Sequence, residues 1–395
     1  MGNVFKGAKR VVIKIGSALL VDQSAGTVRR DWLAALSKDV AMLRARGAQV
    51  LIVSSGSIAA GRRHLGLQNR GLKLEEKQAA AATGQITLAH AYQESLAAEG
   101  FTAAQILLTP GDTEERRRHL NARATILQLL SLGAVPVINE NDTVATAEIR
   151  YGDNDRLAAR VATMVSADTL VLLSDIDGLY TADPRKDETA KHLPVVDRLT
   201  PEILAMAGNV AVSAERGGFS TGGMVTKLEA AKIALGGGCR MIIARGNDPH
   251  PLQALVDGAR CTVFTAPEKP VAARKRWIAG QLNASGTLVV DKGAAEALAN
   301  GKSLLPAGVV RVDGAFERGD PVNVAGPDGN RLAVGLTAYS STDAEKIVGR
   351  QSKEIADILG FEGRSALIHR DDLALLSDTG KTGRSTEKDL SQPVA

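Results

Sequence analysis

The sequence has little cysteine and no long apolar stretch. Its 395 residues include two cysteines, Cys239 and Cys261, which are too far apart for a CxxC pair and are expected to be reduced core residues. No apolar run reaches the roughly 18 residues that a membrane span requires. The N-terminus also lacks the apolar core and the small-residue cleavage site of a signal peptide. We therefore expect a cytoplasmic protein with no membrane contact.

Two further absences limit the chemistry. There is no GxxxxGK[ST] segment, which excludes a P-loop at the motif level. The net charge of +4 is small for this length and is only a weak indication of nucleic-acid binding. Histidine does not mark a site either, because all six lie outside the polar loops described below: His64, His90, His119, His192, His250 and His369.

Predicted strands and helices alternate through most of the chain. The strands are expected at 10–15, 49–53, 102–108, 134–138, 169–173 and 239–244, and the helices at 31–46, 75–98, 112–132, 156–165 and 228–235. This alternation predicts an open α/β domain with a largely parallel sheet. Ligands in such folds bind beyond the carboxyl ends of the strands. The polar loops that follow the strands are therefore expected to meet at one edge: 16–18, 54–57, 139–142, 151–155 and 174–185.

Four carboxylates lie within sixteen residues after the apolar run 134–138. They are Glu140, Asp142, Asp153 and Asp155, and asparagines stand between them. Crowded carboxylates repel one another, so such a site needs a metal ion, an ammonium group or both. An Asn/Asp-rich turn followed by a helix N-cap is the alternative, but two such turns after a buried strand favour a site.

Two lysines are candidates for binding phosphate. Lys14 stands near the end of a buried strand, where its charge is costly unless it reaches an anion. Gly222 and Gly223 would let backbone amides approach a phosphate, and Lys227 would add charge. A Gly-Gly pair before a helix is by itself an ordinary turn. In combination with Lys14 and the acidic loops, the phosphate interpretation is favoured.

The character of the chain changes near residue 267. Residues 267–283 contain prolines and clustered positive charge, which are typical of a linker. Short predicted strands and Gly-rich turns then indicate a small, mainly β domain at 284–363. The preceding residues 9–266 form the main predicted domain. The polar tail 377–395 has no periodicity and is expected to be disordered.

Several motifs together resemble a known family. The segments 12–17, 54–62, 172–184 and 221–227 resemble the amino acid kinase superfamily. Within it, 138–149 and 152–155 resemble the glutamate 5-kinase family, and 284–363 resembles the PUA domain of its bacterial members. The resemblance implies an amino acid kinase-like α/β sandwich with a mainly parallel sheet, followed by a small mainly-β PUA-like domain.

The resemblance also implies a reaction. Members of this family use ATP to phosphorylate the γ-carboxylate of L-glutamate, the first step of proline biosynthesis, so ATP, Mg²⁺ and L-glutamate are the expected ligands. It further implies a homo-oligomer (dimer or tetramer), feedback inhibition by proline and a possible partner, glutamate-5-semialdehyde dehydrogenase (glutamyl phosphate reductase).

Site residues follow from matching positions. The resemblance assigns catalysis to Lys14, Lys227 and Asp175, with Asp175 holding the two lysines, and glutamate binding to Ser55, Asp142 and Asn154. It places the nucleotide along Lys14, Ser174, Asp175, Thr221, Gly222, Gly223, Met224, Val225, Thr226 and Lys227. The metal ligands are not identified, and Asp153 and Asp155 are only candidates. Two positions depart from the family pattern: Ser220 replaces the usual glycine, and Ser57 stands where alanine is frequent.

The chemistry agrees with this assignment. A glutamate side chain has a reference pKa of roughly 4.3, so the acceptor is already ionised at neutral pH and no general base is required. The reaction needs relief of repulsion between two anions and in-line positioning, which lysines and Mg²⁺ can supply.

Two alternatives remain. The chain could be another superfamily member, such as an acetylglutamate or uridylate kinase, although the loops at 139–142 and 152–155 and the C-terminal domain argue against it. It could also bind RNA through the PUA-like domain. Nine basic and eleven acidic residues lie between residues 281 and 365, whereas nucleic-acid modules are usually basic. Nucleic acid is therefore not the expected partner.

Overall fold

The computed structural model describes residues 4–22, 24–68, 70–144, 153–211, 223–279 and 284–376. These form two compact units, Met1–Pro270 and Val271–Ala395. Among the described residues, no helix is both long enough and apolar enough to cross a membrane.

The first unit alternates strands and helices. Its strands are β1 (Arg10–Ile15), β2 (Gln49–Val53), β3 (Ala103–Leu108), β4 (Val135–Glu140), β5 (Thr169–Ser174), β6 (Leu179–Tyr180), β7 (His192–Leu193), β8 (Val195–Val196), β9 (Arg240–Arg245) and β10 (Cys261–Phe264). Its helices are α1 (Ser17–Leu20), α2 (Arg30–Ala45), α3 (Ser57–His64), α4 (Leu74–Ala97), α5 (Pro110–Glu114), α6 (Arg116–Ser131), α7 (Asp153–Met164), α8 (Pro201–Ala211), α9 (Met224–Gly236) and α10 (Pro251–Val256).

Eight of these strands form one sheet in the order β3-β4-β2-β1-β5-β9-β10-β8. All neighbouring strands are parallel except β9 and β10. Side chains of β1 alternate between two apolar clusters, with Val11, Ile13 and Ile15 on one face and Val12 on the other. Burial of both faces explains the near-continuous apolar strands. The prediction of a mainly parallel α/β sheet is confirmed.

Helices α3 and α4 cross in backbone contact. A Cβ atom on Gly61 would lie 1.9 Å from the carbonyl oxygen of Ala80, and one on Gly84 would lie 1.9 Å from that of Ser57. Only glycine leaves room for this crossing. The close crossing of the two helices fixes the position of the first turn of α3, which follows shortly after β2.

Three predicted helices have different boundaries in the structure. The helix predicted at 112–132 is two helices, because Thr109 and Asp112 form a capping box for α5 and Glu115 is extended. Helices α7 and α9 begin three and four residues earlier than expected, at Asp153 and Met224. The polar residues there belong to first helical turns rather than to loops.

The second unit contains a five-stranded sheet. Its elements are α11 (Pro270–Ala279), β11 (Gly286–Val290), α12 (Lys292–Ala299), β12 (Val309–Gly314), β13 (Pro321–Ala325), β14 (Arg331–Leu336), α13 (Ser341–Ile347), α14 (Ile355–Leu359) and β15 (Leu373–Leu375), and α11 begins at the boundary residue Pro270. The strand order is β12-β11-β13-β14-β15. A helix thus occupies much of the segment predicted as a linker, and Arg274 on it donates to Asp372 at 2.7 Å. The tail 377–395 lies outside the described residues.

Candidate active site

The ends of three neighbouring parallel strands lie together. Ser54, just after β2, donates its backbone N–H to the carbonyl of Ile138 in β4 at 2.8 Å. Lys14, near the end of β1, reaches the first turn of α7, which packs on β1. Side chains after β2 also contact Asn154 and Asp142. Residues of three of the five predicted loops, 54–57, 139–142 and 151–155, therefore meet at one edge.

A buried ion cluster forms the charged part of this site. Asp155 forms ion pairs with the Lys14 ammonium at 2.7 Å and with the Lys227 ammonium at 3.3 Å, and its Oδ2 accepts hydrogen bonds from Lys227 and from the Thr226 hydroxyl at 3.2 Å. The side chains of Lys14, Lys227 and Asp155 are 11%, 9% and 1% exposed. Two ammonium groups and one carboxylate carry a net charge of +1 in a buried place. Such a cluster is suited to an anion.

The lysines also control the ionisation of Asp155. Burial alone would raise the pKa of this carboxyl group, but attraction to Lys14 and Lys227 outweighs burial and lowers the pKa from 3.8 to about 2. Asp155 is therefore fully ionised at neutral pH and serves as the counter-ion that keeps two like charges close together.

Asp175 does not occupy this position. Its side chain is 49% exposed and contacts the Ser174 hydroxyl at 3.0 Å and Arg185 at 3.8 Å. The expectation that Asp175 holds the two lysines is corrected, because the carboxylate between them is Asp155. The physical reason is placement: Asp175 follows the end of β5 at the surface, whereas Asp155 lies on a helix packed over β1.

Three candidate substrate ligands lie close by, with Ser55 and Asp142 on loops and Asn154 in the first turn of α7. Asn154 donates from its amide nitrogen to the Ser55 hydroxyl at 3.0 Å. The Asn154 amide oxygen is buried and has no hydrogen-bond partner among the described residues. Buried acceptors are normally paired, so this oxygen fits a donor on a ligand. Asp142 is 7% exposed and accepts from the Ser57 hydroxyl at 3.0 Å.

Two side chains of α4 form hydrogen bonds with residues next to the site, Ser54 and Asn139. The Tyr92 hydroxyl donates to Ser54 at 3.1 Å, and burial raises the Tyr92 pKa far above its usual range. Gln85 accepts from the amide of Asn139 at 2.7 Å. Nothing in the alanine-rich sequence of α4 distinguishes Gln85 and Tyr92 from surface or core residues, so sequence reasoning missed them.

A cleft of about 290 Å³ opens beside Asp142. It is lined by Ala81 and Gln85 from α4, by Glu140 at the end of β4 and by Asn141 and Asp142 after it, among others. Its lining does not include Ser55, Asn154, Lys14 or Lys227.

Part of the predicted nucleotide loop falls outside the described residues, namely Ser220, Thr221 and Gly222, and so does the side chain of Asp153. Gly223 precedes α9, and a Cβ there would meet no atom of the described residues within 4 Å. Met224, Val225, Thr226 and Lys227 form the first turn of α9, and helix N-termini suit a phosphate. In the part of the chain that the structure describes, no three His, Cys, Asp or Glu side chains are grouped to hold a metal.

Comparisons with known proteins agree on two families. Residues 9–245 match the model of the amino acid kinase family, and residues 286–359 match the PUA domain. The chain is 62% identical over 368 residues to a glutamate 5-kinase of Paramagnetospirillum magneticum, and the aligned region covers 93% of this chain and 98% of that protein. It is also 62% identical over 367 residues to a glutamate 5-kinase of Bradyrhizobium sp., covering 93% and 96%. Among solved structures, UMP kinase from Ureaplasma parvum is 14% identical with a TM-score of 0.43, covering 65% of this chain and 98% of that one.

Proposed function

The chain belongs to the amino acid kinase family and, within it, to the glutamate 5-kinases, and from this premise we propose that it transfers the γ-phosphoryl group of ATP to the γ-carboxylate of L-glutamate. The resemblance inferred from the motifs is confirmed at the level of the family, as is the PUA domain. The product, L-glutamyl 5-phosphate, enters proline biosynthesis. The observation that best supports the reaction is the buried Lys14–Asp155–Lys227 cluster beside Ser55, Asn154 and Asp142.

The cluster suits the electrostatics of phosphoryl transfer. Two anions must approach, and negative charge shifts to the leaving and transferring oxygens in the transition state. Lys14 and Lys227 are held by Asp155 before any ligand arrives, so little reorganisation is required when charge develops. The N-terminus of α9, which begins just after Gly223, is where the nucleotide phosphates would lie. Ser174 and Asp175, at the end of β5, remain our proposed contacts to the rest of the nucleotide.

The neighbouring polar residues suit an amino acid. Asp142 carries the charge that would bind an α-ammonium group. Ser55 and Asn154 would bind the substrate's polar atoms, and the unpartnered Asn154 oxygen adds an acceptor for its donor groups. An N-acetylated glutamate has no ammonium charge, so a buried carboxylate at this place favours the free amino acid.

Mg²⁺ is proposed to act through the nucleotide. When bound to the phosphates, it would neutralise part of their charge. Asp155 is one of the two candidate metal ligands. Both of its carboxylate oxygens already contact ammonium groups, so we assign Asp155 to the lysines rather than to the metal.

Three expectations rest on the resemblance alone and remain proposals: inhibition by proline, a dimeric or tetrameric assembly, and transfer of the product to glutamate-5-semialdehyde dehydrogenase. A cytoplasmic location, which was expected from the composition, is also a proposal. For the PUA domain we propose a role in modulating the kinase or its assembly rather than in binding RNA tightly, because nucleic-acid modules are usually basic and its acidic residues outnumber its basic ones.

The test is a substrate screen with the full chain. ADP release is measured with ATP and Mg²⁺ across L-glutamate, N-acetyl-L-glutamate, L-aspartate and UMP, and hydroxylamine traps any acyl phosphate as a hydroxamate. Glutamate-dependent ADP release with hydroxamate is the expected result. Turnover only with another acceptor would reject the proposal for Asp142 and Asn154 but leave the lysine cluster in place.

A further inference from the structure

The Ser57 hydroxyl makes a long-range contact at the start of α3. A serine at a helix N-cap commonly bonds the free N–H groups of its own helix, but here Gly56 is the N-cap and Ser57 is the first helical residue. The Ser57 hydroxyl instead donates to the Asp142 carboxylate at 3.0 Å, across 85 residues of sequence. Both side chains are buried, with 4% and 7% of each residue exposed.

The backbone that carries Ser57 has little freedom to move. Its carbonyl oxygen packs against Gly84 of α4, where even a methyl group would lie 1.9 Å away. On the other side, Gly56 has φ of +102°, a conformation that side chains disfavour, and a Cβ there would lie 3.1 Å from Val21. The hydroxyl is therefore presented from a fixed position.

We propose that Ser57 is a positioning residue that orients the Asp142 carboxylate for the α-ammonium group of the substrate. This inference rests on the proposed function. A carboxylate on a loop can rotate, and fixing it before binding lowers the entropy cost of ligand association. The hydrogen bond to one carboxylate oxygen contributes to this constraint. Ser57 itself makes no contact with the reacting groups in this scheme, so it affects binding rather than chemistry.

The experiment is a double-mutant cycle with the full chain. Ser57→Ala is measured in the wild-type and in the Asp142→Asn background, with L-glutamate varied at saturating ATP and Mg²⁺. In the wild-type background we expect the KM for L-glutamate to rise about tenfold, as for a lost hydrogen bond to a charged group. The kcat and the KM for ATP should stay unchanged. In the Asp142→Asn background the effect of Ser57→Ala on kcat/KM should shrink to about twofold or less, because the partner charge is already gone.

Two further variants separate positioning from folding. Ser57→Thr keeps a hydroxyl and should recover most of the wild-type KM. Ser37→Ala removes another buried hydroxyl, which hydrogen-bonds Ser95 at 2.8 Å away from the site, and should leave the KM for L-glutamate unchanged.

Equal effects of Ser57→Ala in the two backgrounds would overturn the inference. So would an unchanged KM, or a fall in kcat with KM unchanged. If the wild-type chain does not turn over L-glutamate at all, the proposed function fails instead, so the two failures are distinguishable.

Discussion

Replacing Asp155 with asparagine should separate nucleotide binding from catalysis. Asp155 is the carboxylate between the buried ammonium groups of Lys14 and Lys227. Asp155→Asn conserves the shape of the side chain but changes the charge of the cluster from +1 to +2. Without ligand, the two lysines then repel each other in a place that is largely closed to water.

The expected loss of stability can be worked from the burial of the cluster. Breaking a buried ion pair by removing one partner costs about 3–5 kcal/mol. For a domain of this size, 1 kcal/mol corresponds to roughly 2–4 °C in Tm. The Tm of the unliganded variant should therefore fall by on the order of 10 °C.

ATP should reverse much of this loss. Its phosphates bring negative charge to the same two ammonium groups, so the variant has more to gain from the nucleotide than the wild type. A gain of about 1.4 kcal/mol would correspond to tenfold tighter binding. Turnover should move in the opposite direction, because the lysines are no longer held in place, and we expect kcat to fall by about a hundredfold or more.

The assay combines thermal unfolding with and without a non-hydrolysable ATP analogue, calorimetric titration of that analogue, and kcat with L-glutamate. Asp39→Asn is the matched control. Asp39 is also buried and accepts from the backbone N–H groups of Leu252 and Gln253 at 2.8 and 3.2 Å, but it lies on α2 away from the cluster. Its loss should lower Tm without increasing the stabilisation by the nucleotide. Weaker analogue binding by Asp155→Asn, or a kcat near that of the wild type, would refute the reasoning.

Three other substitutions follow from the same site. Lys14→Ala should lower kcat by about 10²–10³, as for the loss of a transition-state donor; single-turnover kinetics measures this, and a near-normal kcat would remove Lys14 from catalysis. Asp142→Ala should mainly raise the KM for L-glutamate in steady-state assays, whereas a rise confined to ATP would reassign the residue. Gly84→Ala should lower stability by about 1–3 kcal/mol or more and raise the KM for L-glutamate, because a Cβ would press on the carbonyl of Ser57. Its control in thermal unfolding is Gly236→Ala, at a helical position where an added Cβ would meet no described atom within 4 Å beyond its own helix; equal losses of stability would contradict the crossing argument.

Much of the fold could be predicted because its signal is local. Buried parallel strands read as apolar runs, and the predicted bounds of β1 and β2 agree with the structure. The meeting of polar loops at one edge followed from topology alone. Helix starts were harder to place. Asp153, Asn154 and Asp155 look like a loop in the sequence, yet acidic residues and asparagine are also favoured at helix N-termini.

Contacts between distant residues account for what sequence reasoning missed. Asp155 and Asp175 both stand near predicted strand or helix ends, and no local pattern says which of them reaches Lys14. The hydrogen bond between Ser57 and Asp142 depends on how closely α3 and α4 approach, which two isolated glycines, Gly61 and Gly84, decide. Such information lies in the packing of whole helices rather than in any one segment.

The ion cluster is built on regular secondary structure rather than on loops. Lys14 lies in β1, Asp155 on the first turn of α7 and Lys227 on the first turn of α9. Helix α7 packs on both β1 and α9. The packing of these three elements therefore brings the three charged side chains together. Side chains on rigid elements keep their geometry better than side chains on loops. A cluster placed in this way can hold two like charges ready for a phosphoryl group, which is the preorganisation that transfer between two anions requires.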